Sequence, residues 1–205
     1  MAAKLILHRG DLPEGMKFPE GVAIDTETLG LKPHRDRLCL VQLSSGDGTA
    51  HLVQFDGRSY EAPHLKRLLS DPDTVKIFHY ARFDVAVLSC YLGVVTKPVF
   101  CTKIASKLVR TYTDRHGLKD LVAELLGIEL SKHQQSSDWA ADRLSEAQKA
   151  YAASDVLHLH ALRARLDLML KRDGRLPLAE ACFDFLPTRA ALDLAGFDDV
   201  DIFSH

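Results

Sequence analysis

Asp25 and Glu27 stand one residue apart at the end of the apolar run Val22-Ala23-Ile24. On a strand, residues two apart share a face, so the two carboxylates lie side by side. They repel, and burying them is costly. A surface strand end tolerates such a pair. A buried one needs a hard divalent cation such as magnesium, manganese or calcium. Asp84 follows another apolar run, Val75 to Phe78, in the first turn of an expected helix. The helix dipole alone also favours an acid there. Tyr151 and Asp155 are four apart on a helix and share a face. Small neighbours, Ala150, Ala152 and Ala153, let that face approach a sheet, where Asp155 is awkward without a cation. Tyr151 read alone fits a core equally well. Together these residues supply four carboxylates and one phenol. That set can hold two metal ions, which clamp the attacking and leaving oxygens of a phosphoryl displacement. The phenol can orient the water, or act as base if its pKa falls from about 10.

The elements that must position these groups are legible as a pattern. Residues 1–20, with Gly10, Pro13, Gly15 and Pro19, read as an arm with one short strand. Strands are expected over 22–24, 38–43, 50–55, 75–78 and 99–102, with a turn at Ser45-Gly46-Asp47-Gly48. Helices are expected over 63–70, 82–91, 103–110 and 118–126, and one long helix over about 145–171. Ser145 and Gln148 form a capping-box pair at its start. Strands mixed with helices, followed by helices, mean an α/β domain with a largely hydrophobic mixed central sheet and a helical C-terminal half. The segment 177–205 carries Phe183, Phe185, Leu186, Phe197 and Phe203, too apolar for a free tail.

The 205 residues suit one domain, and 46% hydrophobic with 26% charged residues is ordinary for a soluble protein. Lys and Arg total 26 against 28 Asp and Glu, a net charge of −2, so the basic excess usual in proteins that grip long nucleic acids is missing. Either no nucleic acid binds, or a short piece binds with metal countering its charge. The four cysteines form no C-x-x-C pair and read as core residues in a reducing cytoplasm. No stretch approaches the roughly 20 apolar residues of a membrane span.

Several stretches carry a family resemblance: Ile24-Asp25-Thr26-Glu27-Thr28, Leu38 to Leu43, His79-Tyr80-Ala81-Arg82-Phe83-Asp84, His116-Gly117-Leu118, and the long run through Gln134, Ser137, Asp138 and Trp139 to Tyr151-Ala152-Ala153-Ser154-Asp155. In order and spacing, over roughly residues 20–170, they resemble the tyrosine subgroup of the DEDD 3′-5′ exonucleases, and ribonuclease D in particular. The resemblance implies a ribonuclease H-like fold and two magnesium or manganese ions. It assigns Asp25 to both metals, Glu27 and Asp155 to the one that activates water, Asp84 to the second, and Tyr151 to the nucleophile. Thr28, Leu31, His79 and Phe83 are the candidate substrate-binding residues. Leu31 stands where similar enzymes that trim very short RNA place a wedge between bases. An ordinary loop anchor is its other reading. His79 could meet a phosphate or terminal ribose, and Phe83 could stack on a base or simply pack.

Ribonuclease D proper adds a helical nucleic-acid-binding domain. The expectation here is a single domain over 1–205 without it, similar to the compact bacterial nanoRNase C subfamily. That likeness implies short single-stranded RNA as substrate and a homo-oligomer, in the form of a ring. General ribonuclease D-like trimming, a DNA-directed exonuclease and an inactive nucleic-acid-binding scaffold are the alternatives.

Overall fold

The computed structural model describes residues 3–130 and 137–205. Six strands form one mixed sheet: β1 (Lys4–Arg9), β2 (Val22–Thr28), β3 (Leu38–Ser44), β4 (Thr49–Gln54), β5 (Lys76–Phe78) and β6 (Val99–Cys101), in the order β1-β4-β3-β2-β5-β6. β3 runs antiparallel to β2 and β4, and the remaining neighbours are parallel. The apolar run Leu38-Cys39-Leu40-Val41 cannot alternate polar and apolar faces, and every residue of β3 is buried. β1 alternates weakly and takes the edge.

The helices are α1 (Pro63–Ser70), α2 (Ala81–Leu92), α3 (Thr102–Val109), α4 (Leu118–Leu126), α5 (Glu146–Leu157), α6 (Leu159–Arg172) and α7 (Leu176–Leu192). Ser145 and Gln148 close the expected capping box at the start of α5. The single long helix expected over 145–171 is two helices. His158 breaks it, with φ −106° and ψ −5°. The physical reason is a division of labour: α5 lies across β2, β3 and β4, whereas α6 packs chiefly on α3 and α4 and reaches the sheet at β5. No proline or glycine marks the break, so the sequence pattern runs straight through it.

The apolar C-terminal segment is largely helical. α7 packs chiefly along α2 and sends Ala179, Phe183, Leu186 and Ala190 into the main core, where the Phe183 ring sits 4.8 Å from that of Phe100. A wide turn, Asp193–Phe197, follows. Phe197, Val200, Ile202 and Phe203 stay exposed. Among the described residues, no helix is long and apolar enough to cross a membrane.

One buried charge fastens the strand that leads to Asp84. Lys76 is 0% exposed, and its ammonium donates to the carbonyls of Asp71, Thr74 and Lys97 at 2.6, 2.7 and 2.6 Å. Three acceptors match three N–H bonds, so the charged form is the one that fits. Lys76→Met keeps the bulk and leaves those carbonyls without a donor. The expected loss is about 2–4 kcal/mol in urea unfolding. A change under about 0.5 kcal/mol would mean that the carbonyls find other donors.

Candidate active site

Strand alternation sets the geometry. Asp25 and Glu27 leave one face of β2 near its end, and the pairing slips between Glu27 and Thr28. α5 crosses that face, with the fully or nearly buried Ala152 and Ala153 allowing close approach. This brings oxygens of Asp25, Glu27 and Asp155 within 4.8 Å of one another. Thr26 points to the opposite face, toward α2, and its hydroxyl donates to Asp84 Oδ1 at 2.7 Å. Asp84 therefore enters from the other side, close enough for its charge to act on Asp25 and Glu27.

Desolvation and mutual repulsion dominate this cluster. Burial, then the charges of Asp84, Asp155 and Glu27, push the Asp25 carboxyl well above its usual range. Burial, then Asp155 and Asp84, raise Glu27 to about 9. Burial raises both Asp84 and Asp155 to about 7, although the Thr26 and Tyr151 hydroxyls oppose it by hydrogen bonding. Three carboxylate oxygens so close form a hard donor set with unmet negative charge, which fits magnesium or manganese. Tyr151 bonds to Asp155, and its phenol is pushed up by burial and then by Asp155, Glu27 and Asp25. These carboxylates hold the proton on the phenol, against the lowered pKa that base catalysis would need.

The residues that hold these groups lie in the stretches that carry the family resemblance, but the sequence assigned them no role. Gln42 pairs across the sheet with Asp25, is wholly buried, and donates from Nε2 to Asp25 Oδ2 at 3.2 Å. Among the described residues its Oε1 has no partner. Trp139 lies 6.2 Å from the Tyr151 ring and is buried behind it. The segment carrying Trp139 is held by its backbone: Gln148 donates to the carbonyl of Asp138, Gln54 to that of Ala141 and Arg9 to that of Asp142. A glutamine inside an apolar strand was the available signal for Gln42. Gln134 lies outside the described residues.

The candidate substrate-binding residues divide. Leu31 is 80% exposed and shares a cavity of about 440 Å³ with Phe83. Asp36 shapes the Leu31 loop by accepting from the Lys32 backbone at 2.9 Å, and a Cβ on Gly30 would sit 2.4 Å from the Asp36 carboxylate. Phe83 also packs on the main core. The Thr28 hydroxyl donates to the Gly30 carbonyl, which leaves it only acceptor capacity. The Thr102 hydroxyl donates to the Phe78 carbonyl and so accepts from His79 Nδ1 at 2.9 Å. Burial, then the Lys103 charge, lower His79 to about 3, so it is neutral, with a bare Nε2. A bare nitrogen suits a ribose hydroxyl and repels a phosphate oxygen.

Residues 12–171 match the protein family described as 3′-5′ exonuclease. Ribonuclease D of Gluconacetobacter diazotrophicus is 39% identical over 155 residues, a match covering 76% of this chain and 39% of that protein. The match thus spans less than half the length of the ribonuclease D relatives, from 39% to 47%. Among solved structures, NrnC of Brucella melitensis bound to pGG superposes with a TM-score of 0.96 at 58% identity over 100% of both chains. The same protein with bound Mg²⁺ gives 0.95 at 58% identity, covering 98% of this chain and 99% of that one.

Two tests follow from the geometry. Glu27, Asp84 and Asp155 bind protons more tightly folded than unfolded, so their stabilising contribution is complete below about pH 4. It is lost as pH rises through about 7 and about 9. In chelator, Tm is expected to fall between pH 5 and pH 9, and magnesium to flatten the decline. A pH-independent Tm in chelator would show that the cluster is not under strain. Gln42→Leu is expected to raise the magnesium concentration needed for half-maximal activity by about 10–100-fold. An unchanged magnesium titration would reduce Gln42 to a space-filling role.

Proposed function

We propose a reaction from one premise: this chain belongs to the 3′-5′ exonuclease family. It hydrolyses the terminal phosphodiester at the 3′ end of short RNA oligonucleotides, down to dinucleotides, and releases nucleoside 5′-monophosphates. The observation that carries this reading is the carboxylate triplet within 4.8 Å, with Tyr151 bonded to its Asp155 member and Asp84 behind it.

Asp25 would hold both of two divalent ions, Glu27 and Asp155 the first, and Asp84 the second. When bound, such ions acidify water and offset the charge that develops on the phosphoryl oxygens. Tyr151 orients the attacking water through its hydroxyl, because its neighbours hold its proton in place. The water oxygen forms a bond to phosphorus, the P–O3′ bond breaks, and the departing O3′ takes up a proton. Gln42 and Thr26 keep Asp25 and Asp84 from rotating. Leu31 and Phe83 receive the terminal bases, and His79 Nε2 accepts from a ribose hydroxyl.

Short substrates are favoured by three features. The net charge of −2 provides little attraction for long chains. The Leu31–Phe83 cavity has room for about a nucleotide. The similar Brucella protein binds pGG, by its notation a dinucleotide with a 5′ phosphate. The exposed Phe197, Val200, Ile202 and Phe203 support a homo-oligomer, in which neighbouring copies cover this apolar surface and narrow the approach to the site. General ribonuclease D-like trimming is the second reading, favoured by the 39% identity.

Single-turnover rates with magnesium on two-, five- and fifteen-nucleotide RNAs are expected to fall with length, whereas a flat or rising profile would favour the second reading. Asp25→Asn is expected to remove activity by several orders of magnitude, and Tyr151→Phe to lower it about 10²–10⁴-fold. Full activity of Asp25→Asn would end the mechanism.

A further inference from the structure

Tyr80 stands between two cavities. One is shared with Leu31 and Phe83, and the other lies between α3 and α7. Tyr80 is the only non-glycine among the described residues with a positive φ, 65°, so the chain strains its backbone to hold this ring where it is. The ring is 46% exposed, and Lys103 Nζ rests 4.2 Å from its centre. Such strain persists only where surrounding contacts impose it, and it clusters at functional sites.

The second cavity holds about 480 Å³, within the range of small-molecule sites. Its floor is apolar, built from Ile104, Phe185 and Leu186. Its rim is cationic: Arg82, Lys103, Lys107 and Arg189 line it, and no carboxylate does. Asp193 accepts from both arginines, and the Asp198 charge also acts on Arg82, so the arginines are already answered. Lys103 and Lys107, one helical turn apart, form no ion pair among the described residues. Lys103 and Lys107 therefore set two unanswered positive charges beside an apolar hollow with an aromatic wall. A purely apolar ligand would leave the charges unanswered, and a bare inorganic anion would leave the floor wet. The complementary occupant is an anion with a flat aromatic body.

We propose that this cavity binds a nucleoside 5′-monophosphate, with the base on the Ile104–Phe185 floor against Tyr80 and the phosphate between Lys103 and Lys107. The ligand class rests on the cavity. Its identification as a nucleotide rests on the exonuclease reading, since that reaction releases such molecules. Tyr80 adjoins His79 and lies one turn before Asp84, so occupancy bears on the segment that carries one of the four carboxylates.

Calorimetric titration of the full chain with GMP in excess chelator tests the site apart from the metal cluster. GMP is expected to bind with at least tenfold higher affinity than inorganic phosphate. Lys103→Ala/Lys107→Ala, with unchanged circular dichroism, is expected to weaken GMP binding at least tenfold. Glu27→Gln is expected to bind GMP like the wild type. Absence of GMP binding at millimolar concentration, equal affinity for phosphate and GMP, unchanged affinity in the double lysine variant, or loss of binding in Glu27→Gln would each overturn the proposal. If GMP binds as expected but no RNA is hydrolysed, the exonuclease reading falls and the site stands.

Discussion

Four carboxylates converge at the end of β2, and their repulsion is the constraint the surrounding structure must resist. Free side chains would relieve it by rotating apart. Here three of them cannot, because each of the three is held from a different direction. Asp25 is bonded by Gln42 on the neighbouring strand, Asp84 by Thr26, and Asp155 by Tyr151 on its own helix. The carboxyls respond by binding protons far more tightly than usual, with Glu27 at about 9. A site so preorganised pays its electrostatic cost during folding and has little left to rearrange when cations arrive.

The period of two along β2 makes this possible. Asp25 and Glu27 face α5, and the intervening Thr26 faces α2. One strand thus joins acids delivered by helices on both faces of the sheet. β2 also needs neighbours on both sides: β3 brings Gln42 beside Asp25, and β5 leads directly into the turn before α2. The break at His158 completes the arrangement. A straight helix would carry residues 159–172 along the sheet, whereas the bent one leaves α5 over the acids and frees α6 to cover α3 and α4.

Much of this was legible in the sequence, for physical reasons. Charges in an apolar setting are costly, so Asp25, Glu27 and Asp155 stood out by type and spacing. Apolar runs and glycine turns located the six strands. The supporting polar groups were harder to see: Thr26 is ordinary in a strand, and Gln42, though polar in an apolar run, gains its meaning only from what lies across the sheet. The His158 break leaves no mark because tertiary packing imposes it against a continuous helical pattern. The C-terminal segment looked uniformly apolar, yet only part of it is buried: α7 has a partner in α2, whereas Phe197 and Phe203 lie beyond the end of the helix.

That C-terminal segment also bears on the Leu31–Phe83 cavity. Asp193 receives two bonds from Arg82, just two residues before Asp84, and Asp198 pairs with Lys32, next to Leu31. His34 reaches the carbonyl of Leu194 at 2.8 Å. The turn after α7 is therefore one wall of the Leu31–Phe83 cavity, tied both to its loop and to the helix that carries a catalytic candidate. The exposed Phe197 and Val200 belong to the same stretch of chain. A contact that buries these side chains against a second copy must load the wall directly, since few residues separate the apolar patch from the ion pairs. In the homo-oligomer proposed above, assembly and the size of substrate admitted would be coupled by covalent proximity, with no need for a longer path through the core.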